Sequence, residues 1–348
     1  MKLVISHRSA LRIWRAIRQG KIPQPTPVPN SSEVKLDSTL SGATELRKLL
    51  AKHTDNDENS VYLRRLMVIA RNHPLSGVGK IDVLVTRRKQ RHKSKILRPH
   101  LISANPPSSA LCILYEGIYM VMPEYLLLLL AEELSQLELL AVAYEFCGTY
   151  SVDPDLKHGF QMGLSQLTTI NAIKDFAGTA IGKRNIKKIR GMIPLLHERS
   201  ASPRETDLAC ALSYSPELGG YWMGDFQMNP REQFEGDEAF VAGGVERYPD
   251  ILFCNRKVIV EYDSKDFHSE EGKASLDKDR ADGLRANGYE VVTITSLHFE
   301  KFESFLRAMV RVGSYMGSDV MAAQRSKDVA TTRKEMVSWF QQANHQPL

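Results

Sequence analysis

Three carboxylates, Asp250, Glu261 and Asp263, and a histidine, His268, carry the spacing in this chain that points most directly to chemistry. Val258-Ile259-Val260-Glu261-Tyr262-Asp263 reads as a strand. Alternate strand side chains share a face, so Glu261 and Asp263 point one way while Val260 and Tyr262 point the other. Pro249-Asp250 opens the preceding apolar run, and a tight turn at Asn255-Arg256 makes the two runs antiparallel neighbours, bringing Asp250 towards Glu261. Carboxylates converging from adjacent strands offer hard oxygen ligands for Mg2+ or Mn2+. Such an ion polarises a phosphodiester and generates hydroxide near neutral pH. His268 follows Asp263 closely enough to serve as a ligand or a proton-transfer group. A carboxylate on so apolar a strand is at least partly buried, which is costly without a cation or hydrogen-bond donors.

The elements around these residues spell out a compact unit. Ser202-Pro203-Arg204-Glu205 combines a hydroxyl cap, a proline in the first turn and a glutamate three residues after the cap, so a helix runs to about Ser213. Glu205 is thus both a candidate site carboxylate and the third residue of a capping box. Strands are expected at 248–254 and 257–263, a charged helix at 270–287 capped by Gly288, and a strand at 289–295.

These motifs together resemble a known family. Ser202-Pro203-Arg204-Glu205, Tyr248-Pro249-Asp250-Ile251, Val260-Glu261-Tyr262-Asp263-Ser264, His268, Asp279-Arg280 and Gly288-Tyr289-Glu290-Val291-Val292-Thr293, in that order, resemble the PD-(D/E)XK superfamily of nucleases near its very-short-patch-repair branch. The resemblance implies that Asp250 is the principal metal ligand, that Glu261 takes the second acidic position, and that Glu205 matches a helical glutamate. Asp263 stands where most members carry a lysine; the very-short-patch branch also lacks it and uses histidines, one of which His268 matches. Ile5-Ser6-His7-Arg8-Ser9-Ala10-Leu11 and Tyr144-Glu145-Phe146-Cys147-Gly148-Thr149-Tyr150 are similar to abortive-infection, AbiEi-like regulators that carry this nuclease domain. The implied function is metal-dependent endonucleolytic cleavage of DNA in phage defence or mobile-element control. The alternative is a non-catalytic DNA-binding regulator or antitoxin on a degenerate nuclease fold. RNA remains open as a substrate, as do a toxin or other protein partner and a homo-oligomer.

Two basic clusters are candidate nucleic-acid contacts. Arg87, Arg88, Lys89, Arg91, Lys93 and Lys95 put six cations in nine positions between two expected strands, and Lys183, Arg184, Lys187 and Lys188 recur at helical spacing. Phosphate contacts from such groups are non-specific and weaken steeply with salt. The arginine-bearing segment from Arg8 to Arg18 reads as an amphipathic helix with Leu11, Trp14 and Ile17 on one face. It would read DNA if the first half were a winged helix.

With 348 residues, two domains and an appendage are the natural expectation. The first half is expected to be an α+β domain over 1–200, possessing a Pro-rich segment at 23–30. An α/β nuclease-like domain with a mixed central sheet flanked by helices follows over 201–310, then a helical tail over 311–348. Strands are expected at 80–85, 95–102, 111–115 and 118–122, and one apolar helix at 123–146. Hydrophobic residues at 43% and charged residues at 25% exclude a disordered or fibrous chain, and a net charge of +5 is too mild for a general basic coat. The apolar stretches fall short of the ~20 residues that span a bilayer. Four scattered cysteines suggest buried, reduced thiols, and the short apolar start suggests no signal peptide, so a cytoplasmic protein is expected.

Overall fold

The computed structural model describes residues 3–29, 58–71, 79–88, 95–263 and 281–342. It is a mixed helix-and-sheet protein whose chain forms two compact units that interleave in sequence. Met1–Leu139 and Asn171–Arg190 belong to one, and Leu140–Ile170 and Gly191–Pro347 to the other.

The first unit is built on six strands: β1 (Leu3–Ile5), β2 (Thr26–Pro27), β3 (Ile81–Val85), β4 (Leu97–Leu101), β5 (Leu111–Tyr115) and β6 (Ile118–Val121). Their order in the sheet is β2-β5-β6-β1-β3-β4, with β1 parallel to β6 and β3 parallel to β4. A tight hairpin at Glu116-Gly117 joins β5 to β6, with Gly117 at φ 76°. Helix α1 (His7–Arg18) leaves β1 directly. Its Leu11, Trp14 and Ile17 are buried as the spacing requires, and so are Ala10, Ile13 and Ala16. The Trp14 indole N–H donates to the Val121 carbonyl at 2.9 Å. The helix is a core element, with Arg8, Arg12 and Arg18 half-buried along its remaining side. Helix α2 (Glu58–Arg71) packs beside it through Leu63, Leu66, Met67 and Ala70.

The apolar run expected as one helix is two: α3 (Pro123–Leu130) and α4 (Gln136–Cys147). Ser135 causes the break. Its hydroxyl accepts the Glu138 N–H at 3.2 Å while the Glu138 carboxylate accepts the Ser135 N–H at 2.7 Å. This reciprocal capping box starts a new helix and leaves Glu132 and Glu133 in the turn between. Helices α5 (Ile170–Thr179) and α6 (Ile186–Met192) follow.

The second unit holds helix α7 (Pro203–Ser213) and a four-stranded mixed sheet. Its strands are β9 (Gln227–Met228), β12 (Ile251–Phe253), β13 (Val258–Asp263) and β14 (Glu290–Thr295), in the order β14-β13-β12-β9. Short pairs β7 (Ser151–Val152) with β8 (Phe160–Gln161), and β10 (Glu232–Gln233) with β11 (Glu246–Arg247), lie outside that sheet. β9, β12 and β13 are antiparallel in succession, and β14 is parallel to β13. The β12–β13 connection is a short helical turn over Cys254–Arg256, closed by Lys257 at φ 51°. Parallel β13 and β14 need a crossover, and residues 281–286 within it are helical, ending at Gly288 with φ 82°.

One sheet face carries Leu252, Ile259 and Val291, packed with Leu284 and with Ala239 and Ala242 of helix α8 (Gly236–Ala242). The other face meets α9 (Ser296–Glu300) and α10 (Phe302–Met316), with Tyr262 edge-on to Phe299 at 5.9 Å. Further along the described chain lie α11 (Val320–Gln324) and α12 (Lys327–Gln341); Phe340 of α12 completes an aromatic cluster with Phe299 and Phe305. Among the described residues, no helix is long and apolar enough to cross a membrane.

Candidate functional site

Strand register brings Asp250 and Glu261 together. Ile251 pairs with Val260 and Leu252 with Ile259, so Asp250, one residue before β12, comes opposite Glu261. Residues opposite each other in an antiparallel pair share a face. Asp250 and Glu261 therefore continue the row begun by Leu252 and Ile259, and Asp263 extends it by one more step. The apolar face ends where the acids begin. Val258, Ile259 and Val260 are fully buried while Glu261, Tyr262 and Asp263 are half-buried, with Glu261 Oε1 and Asp263 Oδ1 shielded from solvent. Asp250 Oδ2 accepts the backbone N–H of Tyr262 at 2.7 Å, which fixes its carboxylate against β13.

Glu205 reaches the same neighbourhood through one side chain. Ser202 caps α7 by accepting the Glu205 N–H at 3.2 Å, as expected. The Glu205 carboxylate turns back to the Ala201 N–H at 2.8 Å and accepts the Asn229 side-chain amide at 2.7 Å. Asn229 in turn donates its backbone N–H to the Asp250 carbonyl at 3.0 Å. Burial pushes the Glu205 carboxyl above its ordinary range, opposed by these donors. Its observed bonds are those of a cap and a brace.

The other expected site residues are spread out. His268, Lys89, Arg91 and Lys93 lie outside the described residues. Arg87 and Arg88 are exposed just after β3, and Lys95 is exposed just before β4. Arg184 pairs with Glu132 at 2.8 Å, and the Lys188 ammonium donates to the carbonyls of Ala131 and Leu134 at the end of the α3 turn. Lys187 is exposed and Lys183 half-buried. Of the expected thiols, Cys112, Cys147 and Cys210 are buried, but Cys254 is exposed, because the β12–β13 turn carries it out of the sheet.

A second constellation, in the first unit, escaped the sequence reading. The rings of His7 and His100 stack at 3.7 Å and 16°. His100 Nε2 lies 2.9 Å from Oδ1 of Asp82, which is almost fully buried, and Asp82 Oδ2 accepts the Ser9 hydroxyl at 3.2 Å. Glu133, in the turn made by the Ser135 capping box, accepts Arg8 Nε at 3.2 Å. One donor atom each from His7, His100 and Glu133 lies within 4.8 Å of the others. Burial and the adjacent His100 drop the His7 pKa to about 3, so the ring is neutral at pH 7. His7 also sits at φ 47°, a conformation that costs a non-glycine residue on the order of 1–3 kcal/mol. No spacing rule joins positions 7, 82, 100 and 133; the only local signal was Ser6-His7-Arg8-Ser9 at a helix start.

Comparisons with protein-family models, with curated proteins and with solved structures gave no match.

Proposed function

We propose that the second unit is a metal-dependent nuclease that hydrolyses phosphodiester bonds in DNA, with Mg2+ or Mn2+ held by Asp250 and Glu261. The observation that carries this reading is the strand register, which sets Asp250 opposite Glu261 across β12 and β13. They sit in a sheet built as helix, three antiparallel strands, helical crossover and parallel strand. That order supports the resemblance to PD-(D/E)XK nucleases. The donor set fits the ion: it is all carboxylate oxygen, and Mg2+ keeps several waters and needs only one or two carboxylates. When bound, the ion would supply Lewis acidity at the phosphate and a more acidic water.

The chain's own groups do the rest. The Tyr262 N–H holds the Asp250 carboxylate in place, and Glu261 is presented beside it by strand register. Asp263, two residues on and on the same face, or alternatively His268, is the group we assign to orient or deprotonate the attacking water. Glu205 is a positioning residue that holds the entry to β12 through Asn229. The exposed Arg87, Arg88, Lys95 and Lys187 are the described cations best suited to non-specific phosphate contacts.

Plasmid nicking tests the proposal. The wild-type chain should nick DNA with Mg2+ and not with EDTA, and Asp250→Ala should slow nicking at least ~100-fold, about 2.7 kcal/mol of barrier. Nicking that survives Asp250→Ala would overturn the assignment. DNA binding with no cleavage under any divalent ion would favour the regulator, the reading that Asp263 at the lysine position supports.

A further inference from the structure

We infer that the first unit carries a separate transition-metal site, able to take Zn2+, formed by His7, His100 and Glu133. Two imidazoles and one carboxylate are a zinc donor set, and three protein ligands leave a fourth position for water. The residues come from three elements far apart in sequence: the first residue of α1, strand β4, and the turn between α3 and α4. Their donor atoms nonetheless converge within 4.8 Å of one another.

Each histidine is oriented through one of its ring nitrogens. Asp82, almost fully buried, engages His100 Nε2 at 2.9 Å and is itself held by the Ser9 hydroxyl at 3.2 Å. Ser6 Oγ engages His7 Nδ1 at 2.9 Å. This leaves His7 Nε2 and His100 Nδ1 as the ring nitrogens with no hydrogen bond among the described residues. A carboxylate behind a histidine is how proteins fix the tautomer and direction of a metal ligand, and removing such a partner typically costs 10–100-fold in affinity. A strained backbone at His7 is the kind of distortion that persists where a functional group must be aimed. Glu133 is exposed, His100 half-buried and His7 buried, so the cluster runs from the core to the surface. The stacked rings must splay for one ion to lie near both ring planes, so binding should break the 3.7 Å stack.

The donor chemistry separates this site from the all-oxygen pair of Asp250 and Glu261, which favours hard cations. The inference therefore stands or falls independently of the nuclease reading. The test uses the full, untagged chain, stripped with chelator, titrated with ZnCl2 and assayed for bound metal after gel filtration, with Co2+ absorption as a second readout. One Zn2+ per chain is expected in wild type and equally in Asp250→Ala. Glu133→Gln, a surface change that leaves packing alone, should weaken Zn2+ at least ~10-fold, and His100→Gln should abolish stoichiometric binding. If His100→Gln fails to fold, Glu133→Gln alone decides. Absence of stoichiometric Zn2+ in wild type, or wild-type affinity in Glu133→Gln, would overturn the site.

Discussion

Asp250 holds Tyr262 by its main chain: the carboxylate accepts the Tyr262 N–H at 2.7 Å, although Asp250 lies one residue before β12. The side chain thus lengthens the β12–β13 ladder by one bond while pinning the acid beside Glu261. Asp250→Asn keeps an acceptor oxygen and should stay within about 0.5 kcal/mol of wild type, whereas Asp250→Ala leaves the N–H unmatched at a cost of about 1–3 kcal/mol. Urea denaturation reads both, and on the proposed nuclease reading nicking should be lost in each. A variant that is stable yet inactive is the signature of the chemical role.

Glu205 makes stability depend on pH. Burial raises its carboxyl pKa in the folded chain, so the folded state binds this proton more tightly than the unfolded state does. The contribution is fully present below the ordinary carboxyl range near 4.3 and is lost as pH rises through the elevated folded value. Glu205→Gln keeps an oxygen for the Ala201 and Asn229 donors without a charge. The difference in Tm, variant minus wild type, should grow from pH 4 to pH 8. A difference that is flat or shrinks over that range contradicts the assignment.

Thiol reactivity should be confined to one position. Burial pushes the Cys112 thiol up to about 12 and also raises Cys210 and Cys254, but Cys254 is exposed while Cys112, Cys147 and Cys210 are buried. Only Cys254 should react promptly with a disulfide reagent in the folded chain, and all four after denaturation. Two or more fast thiols in native protein would contradict the packing around the other three.

Gly148 is required by close approach. A Cβ there would stand 2.6 Å from the Ser200 carbonyl oxygen and 2.7 Å from that of Tyr144, both backbone atoms with little freedom to move. Gly148→Ala should destabilise by about 1–3 kcal/mol in thermal denaturation. An unchanged Tm would mean that the 144–150 turn is looser than the structure has it.

Local patterns were legible in the sequence, and long-range meetings were not. The β13 alternation, the Ser202 cap and the Gly288 stop each depend on a few neighbouring residues, and all three appear where the pattern puts them. The adjacency of Asp250 and Glu261 could be read because one short turn joins their strands. Ser135 and Glu138 were equally readable as a capping box, yet the apolar run around them masked the break. Glu205 was visible as a cap, but its link to the Asp250 backbone passes through Asn229, which no spacing connects to either. The His7, His100 and Glu133 cluster lies furthest from any sequence rule, since a six-stranded sheet and a helix break must both form before the three meet. Cys254 shows the converse: a residue type that is usually interior, carried outward by a three-residue turn.

The motif from Tyr144 to Tyr150 is framework for the second unit. Glu145 accepts the Val152 N–H at 3.0 Å, Thr149 donates its N–H to the Ser200 carbonyl at 2.7 Å, and the Tyr150 and Thr206 hydroxyls meet at 3.0 Å. Because this stretch precedes Asn171–Arg190, which returns to the first unit, the gene cannot be divided by a single cut. Any clone starting near codon 200 would encode the acidic hairpin without the tyrosines that brace its leading helix, and any clone stopping there would strand those same residues on the wrong fragment. Dissection, fusion and shuffling must therefore treat the polypeptide as a woven whole rather than as beads on a string.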